Sequence, residues 1–154
     1  MKTRQRILVP LTHGYSSSAL LRRASELVAA GDVELLVVSV LDTRSSFDLD
    51  GPAGNLPSER AARLAPPEQK RLEHELTRHG LDSSQATVIW GEPRAALSAL
   101  LHSWRPDLVV CDARTRRMLP ARTSQEGPEM MRIGRDNALA RLAGLFHPQA
   151  QGHA

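Results

Sequence analysis

RILVPLTHGYSSSALLRRASELVAAGDVELLVVSVLD, residues 6–42, is the stretch from which the fold can be read. It opens with RILVPLT (6–12), a short apolar run that reads as a strand buried on both faces. Pro10 would sit badly in the interior of a central strand, but it falls near this strand's C-terminal end. HGYSSS (13–18) is turn chemistry, and Ser16 or Ser17 is placed to cap a following helix. In that helix Leu20, Ala24, Leu27 and Val28 recur at i, i+4, i+7 and i+8, one apolar face, and Gly31 ends it. ELLVVSVLD (34–42) is then the clearest buried strand in the chain. Strand, helix and strand in this order make a parallel crossover unit, right-handed by the general rule.

The same alternation continues outward. Residues 43–66 are rich in Ser, Gly, Pro and Asp and read as a long loop. A second helix is expected to open at Pro66–Pro67 and run to about His79, with Gly80 just beyond its end. ATVIW (86–90) reads as the third strand. GEPRAALSALLHSW begins a third helix, in which Leu97, Leu100, Leu101 and Trp104 share a face, and PDLVVC (106–111) is the fourth strand. In the tail Leu139, Leu142, Ala143 and Phe146 have helical spacing, and Pro148 stops that helix. The pattern predicts an α/β fold: a doubly wound, Rossmann-like parallel sheet of four strands, or five with a very short last one, and helices on both faces. Residues 1–148 are expected to form one domain and 149–154 a disordered tail.

Composition narrows the function classes. At 154 residues the chain is long enough for one domain with a proper core, and 41% hydrophobic with 24% charged residues is ordinary for a globular protein. No apolar run approaches the roughly 18–20 residues that cross a bilayer, and the opening MKTRQRILVPLTHG is too poor in apolar residues for a signal peptide. The single cysteine, Cys111, excludes an internal disulfide and fits a reducing cytoplasm, so a cytoplasmic location is expected. Eighteen of the twenty basic residues are arginine, which a GC-rich bacterial genome would explain. A net charge of +3 does not imply nucleic-acid binding, and no aromatics interleave the arginines as a single-strand groove would require.

The string RILVPLTHGYSSSALLRRASELVAAGDVELLVVSVLD resembles the opening strand, helix and second strand of the universal stress protein family. VIWGEPRAALSALLHSWRPDLVVC resembles that family's third strand, Gly-x-Pro turn, third helix and fourth strand. Many members bind ATP through Gly-x2-Gly-x9-Gly-Ser/Thr after the fourth strand. The resemblance places those positions at Asp112, Thr115, Gln125 and Glu126, none of which carries the expected residue. The Asp that ATP-binding members keep at the end of strand one aligns with Thr12. A backbone phosphate cradle needs conformations that glycine reaches at little cost, and Asp112 and Glu126 would repel a triphosphate. The resemblance therefore implies a member without ATP as a cofactor: a non-enzymatic stress-response regulator acting through an unidentified protein partner. It implies a homodimer too, although the tail ARLAGLFHPQAQGHA lacks the β-branched run that usually closes the family's sheet and helps build its dimer.

The alternative is a nucleotide- or anion-binding module at the carboxyl edge of the sheet. DARTRRMLPARTSQEG (112–127) carries Arg114, Arg116, Arg117 and Arg122, and guanidinium forks can hold a phosphate without backbone help. Thr12, His13, Asp42, Arg114, Arg116 and Arg117 are the expected lining. As a charge run, the Arg114–Arg122 loop also fits a plain solvated surface. HELTRH (74–79) has one residue too many for a zinc-binding pair, since residues five apart on a helix diverge by about 140°. The serines of HGYSSS lack the second glycine of a nucleophile elbow. Cys111, at the end of the fourth strand, is expected to be a small buried apolar residue, with a redox role only in an exposed, electropositive setting.

Overall fold

The computed structural model describes residues 4–44, 56–121 and 127–134. In chain order the elements are β1 (Gln5–Thr12), α1 (Ser18–Ala30), β2 (Val33–Asp42), α2 (Pro57–Arg78), β3 (Ala86–Gly91), α3 (Pro93–Trp104), β4 (Leu108–Cys111), α4 (Ala113–Met118) and β5 (Glu129–Arg132), with a 3-10 turn at Ser83–Gln85. The five strands are all parallel, in the order β3-β2-β1-β4-β5. This is the expected doubly wound, Rossmann-like α/β sheet, with five strands.

Alternation along the central strand builds two cores. Ile7, Val9 and Leu11 of β1 point to the face covered by α1 and α2, where they meet Leu20, Leu21, Ala24, Leu72 and Leu76. Leu8, Val38, Val40 and Val109 point to the other face and pack on Leu97 of α3 and on Leu119. Continuous apolar runs therefore become strands sealed on both sides, as parallel sheets require. The ladder between β1 and β4 covers only Ile7 and Leu8 and stops before Pro10, which has no N–H to give. Among the described residues no helix is long and apolar enough to cross a membrane.

Several local expectations change. Helix α2 starts at Pro57, nine residues before Pro66, and carries both Pro66 and Pro67 inside it. Its real start has Pro at the first helical position and Glu59 accepting from the Leu56 N–H at 3.3 Å, so the segment read as loop is partly capped helix. Pro66 and Pro67 are exposed, which leaves the carbonyls they orphan open to water. At its other end Gly80 adopts φ +72° as expected, and Gly80 and Leu81 donate back to Thr77 and Leu76. Ser17 stands at the N-terminus of α1 but makes no side-chain cap, because its ψ of 6° is not the extended geometry a capping hydroxyl needs.

The arginine segment is not a plain loop. Arg114, Arg116 and Arg117 ride on α4, while Arg122 lies outside the described residues. The fifth strand, EMMR, precedes the tail. It has no Val or Ile, and its place comes from main-chain bonds and a split pair of methionines, Met130 against one core and Met131 against the other. The helix read over 139–146 and the tail 149–154 lie outside the described residues.

Candidate functional site

Strand order reverses between β1 and β4, since the chain runs β1, β2, β3 to one side and then returns to β4 and β5 on the other. Ligands in open parallel sheets bind at the carboxyl ends beside such a switch point. A cleft of about 340 Å³ opens there, between the ends of β1 and β2, the start of α3, and α4. Thr12, Asp42, Arg114 and Arg117 line it, so four of the six residues nominated from the sequence meet in one place. His13 and Arg116 do not.

The cleft's charges fall into two groups. Asp42 is already engaged: Arg44 donates to it with Nε and Nη2, both at 3.0 Å, and with its backbone N–H at 3.0 Å. This guanidinium hydrogen bond holds the Asp42 carboxyl below its ordinary range. Arg44 also reaches Glu92 at 3.5 Å. On the opposite wall Arg94 donates from Nε to the Arg117 carbonyl at 3.2 Å, and the Arg114 guanidinium lies 3.4 Å from the centre of the Tyr15 ring. Neither Arg114 nor Arg117 has a carboxylate partner among the described residues. Four arginines thus face the cleft against two carboxylates, and both carboxylates are in use.

The helix ends beside the cleft are closed by their own side chains. Glu92 precedes α3 and accepts from the N–H groups of Arg94 and Ala95 at 3.2 and 2.7 Å, which pull its carboxyl below the usual range, the Ala95 bond most. Asp112 precedes α4 and accepts from the Thr115 N–H at 2.8 Å, while the Thr115 hydroxyl accepts from the Asp112 N–H at 2.9 Å. Thr115 is fully buried. A helix N-terminus ordinarily offers its unpaired N–H groups to an anion. Here two of those termini already hold a carboxylate belonging to the chain.

His13 turns away from the cleft. Its Nδ1 sits 2.8 Å from Oε2 of Glu68, a carboxylate almost wholly buried beneath the turn after β1. Ser39 donates to Glu68 at 2.7 Å, and Arg71 donates to both carboxylate oxygens at 2.9 and 2.7 Å. Burial alone would push the Glu68 carboxyl up; the bonds from Arg71 and Ser39, with the nearby charges, reverse this and hold it at about 2. Arg116 is half-buried behind the cleft, near Cys111. Cys111 is fully buried, and burial pushes its thiol up, the reverse of what a reactive thiolate needs.

Sequence reasoning missed Tyr15, Arg44, Glu92, Arg94 and Met118 in the cleft, and the whole Glu68 cluster. Two signals were present. Glu92 stands directly before a proline that opens a helix, a capping position. Ser39 is the only polar residue inside LLVVSVL (35–41), and a buried hydroxyl needs a partner.

The model of the universal stress protein family matches residues 3–123. No sequence match was found among curated proteins. Among solved structures, a universal stress protein family member from Burkholderia pseudomallei aligns over 84% of this chain and 95% of its own, at 21% identity and a TM-score of 0.54. A universal stress protein in complex with cAMP aligns over 85% and 97%, at 16% identity and 0.53. One from Archaeoglobus fulgidus in complex with dAMP aligns over 86% and 99%, at 13% identity and 0.51. These likenesses establish the shared fold.

Proposed function

The chain belongs to the universal stress protein family, and from that premise we propose that it is a regulatory member that does not hold ATP in a backbone cradle. It acts in the cytoplasm by binding another protein, without catalysing a reaction of its own, and associates with a second copy of itself. The observation that carries this reading is the reciprocal pair at the start of α4. Asp112 and Thr115 satisfy each other's N–H groups, so two donors that a cradle could aim at phosphate are already paired within the chain. Glu92 does the same at α3. A triphosphate arriving at this edge would meet carboxylates where it needs N–H groups, with Asp42 beyond them. Native mass spectrometry of the protein as purified from cells tests the reading. A chain carrying no nucleotide is expected; a stoichiometric adenine nucleotide would overturn it.

A second reading is favoured by the other wall. Arg114 and Arg117 face the cleft without a carboxylate partner among the described residues, and two similar structures were solved with cAMP and with dAMP, ligands with one phosphate. In this reading the cleft takes a small anion with a single phosphate, held by guanidinium forks rather than by backbone. Titration with AMP and with inorganic phosphate distinguishes the two readings. Saturable binding that is lost in the Arg114→Ala, Arg117→Ala double variant supports the anion site, and no binding leaves the cleft as a surface for protein contact.

A further inference from the structure

The basic wall of the cleft is partly ordered before anything binds to it. The Arg114 guanidinium lies 3.4 Å from the centre of the half-exposed Tyr15 ring, so an aromatic face rather than a carboxylate holds this charge in place. Arg94 is tied to the same wall by its bond to the Arg117 carbonyl. Arg114 and Arg117 stand at i and i+3 on α4, which sets their Cβ atoms about 5–6 Å apart on one side of the helix. Arg94, Arg114 and Arg117 are all exposed, and none of them has a carboxylate partner among the described residues. Arg114 therefore has less freedom to give up on binding, and Tyr and Arg are residue types that carry binding energy at protein interfaces.

Resting on the reading of a member that binds another protein, we infer that this wall docks an acidic segment of that partner in extended form, with carboxylates at alternate positions. Alternate side chains of an extended chain point the same way and recur about every 6.5–7 Å. That interval is close to the spacing of Arg114 and Arg117, so acids at i and i+2 of the segment can each meet one guanidinium. The facing wall sets the orientation. Asp42 and Glu92 already share Arg44, so acids turned to that side would meet carboxylates and an engaged cation. A segment with its acids on one side only satisfies both walls. A nucleic-acid strand fits less well, because Tyr15, the only aromatic lining the cleft among the described residues, already has Arg114 on its ring.

Fluorescence anisotropy with short labelled peptides tests the inference on the full chain. The probe alternates glutamate with serine. Its control has the same composition with the glutamates in adjacent pairs between paired serines, so that no two acids stand at i and i+2. The alternating peptide is expected to bind about threefold more tightly than this isomer, the worth of one exposed ion pair. Arg114→Ala with Arg117→Ala is expected to cut that affinity about tenfold, the worth of two such pairs. Lys70→Ala with Arg78→Ala removes two exposed charges from α2, on the other face of the sheet, and is expected to leave the affinity unchanged. Equal affinity for the two peptides, or equal losses in the two double variants, would overturn the inference. So would displacement of the peptide by micromolar inorganic phosphate, which assigns the wall to a small anion, or by oligothymidylate more readily than by unlabelled peptide, which assigns it to nucleic acid. No peptide binding by a chain that purifies free of nucleotide overturns this inference alone and moves the partner to another surface, whereas nucleotide found in the cleft overturns the reading beneath it as well.

Discussion

A serine in the middle of an apolar strand, Ser39, points to the most consequential single residue of the molecule. Its hydroxyl is fully buried and donates to Glu68, and Glu68 must stay ionised to hold Arg71 and His13 in place. The Glu68 carboxyl sits at about 2 when folded, below its ordinary 4.5. A lowered folded value stabilises the fold above the ordinary pKa, and this contribution is lost as pH falls from about 4.5 towards 2. It amounts to about 3 kcal/mol at neutral pH. Urea unfolding across that window should show stability falling with pH in the native sequence and a much flatter profile in Glu68→Gln. An unchanged slope would mean that folding does not lower the pKa of Glu68. At this scale the sequence was only partly legible. Thr12, Asp42, Arg114 and Arg117 could be placed at the carboxyl edge because strand ends can be read from a sequence. His13 could not be assigned correctly, because its partner lies 55 positions away on a helix whose beginning was misread.

The elements show why some boundaries are readable and others are not. Hydrophobic runs mark β1, β2 and β4 because burial on both faces leaves little room for polar residues, Ser39 of β2 being the exception. EMMR escapes that logic: β5 is held by main-chain bonds, Glu129 N–H to Asp107 and Ile133 N–H to Cys111 at 2.9 and 2.8 Å, and its side chains carry little β signal. The start of α2 was hidden by Pro66 and Pro67, which mimic a helix beginning although Pro57 supplies the real one. At α4 the absence of glycine was legible, but its replacement by a closed pair of side chains was not, because that depends on the local turn. Thr115→Val keeps the shape and removes the hydroxyl, leaving the Asp112 N–H without its partner. Its cost is expected to be about 1–2 kcal/mol by chemical denaturation; a loss below about 0.3 kcal/mol would show that the pair is not needed to close the turn.

The whole molecule is a sheet with β1 at its centre and two outer strands, β3 and β5, that pair with nothing further among the described residues. Open edges of this kind favour pairing with another chain. Sedimentation velocity at micromolar concentration should therefore show a dimer, and a monomer at every concentration would argue against self-association. The order of strands and helices was legible because each segment's period agreed with its neighbours, and that agreement is what makes a doubly wound fold readable from one chain. Ligand preference was not legible in the same way, since it depends on which N–H groups remain unpaired after the helix ends form. Calorimetric titration of the purified chain with ATP tests this most directly. No saturable binding is predicted at tens of micromolar, a free energy of about −6 kcal/mol. Stoichiometric binding that persists in the Arg114→Ala, Arg117→Ala variant would contradict it, because the backbone at 112–115 would then have to be opening to phosphate after all.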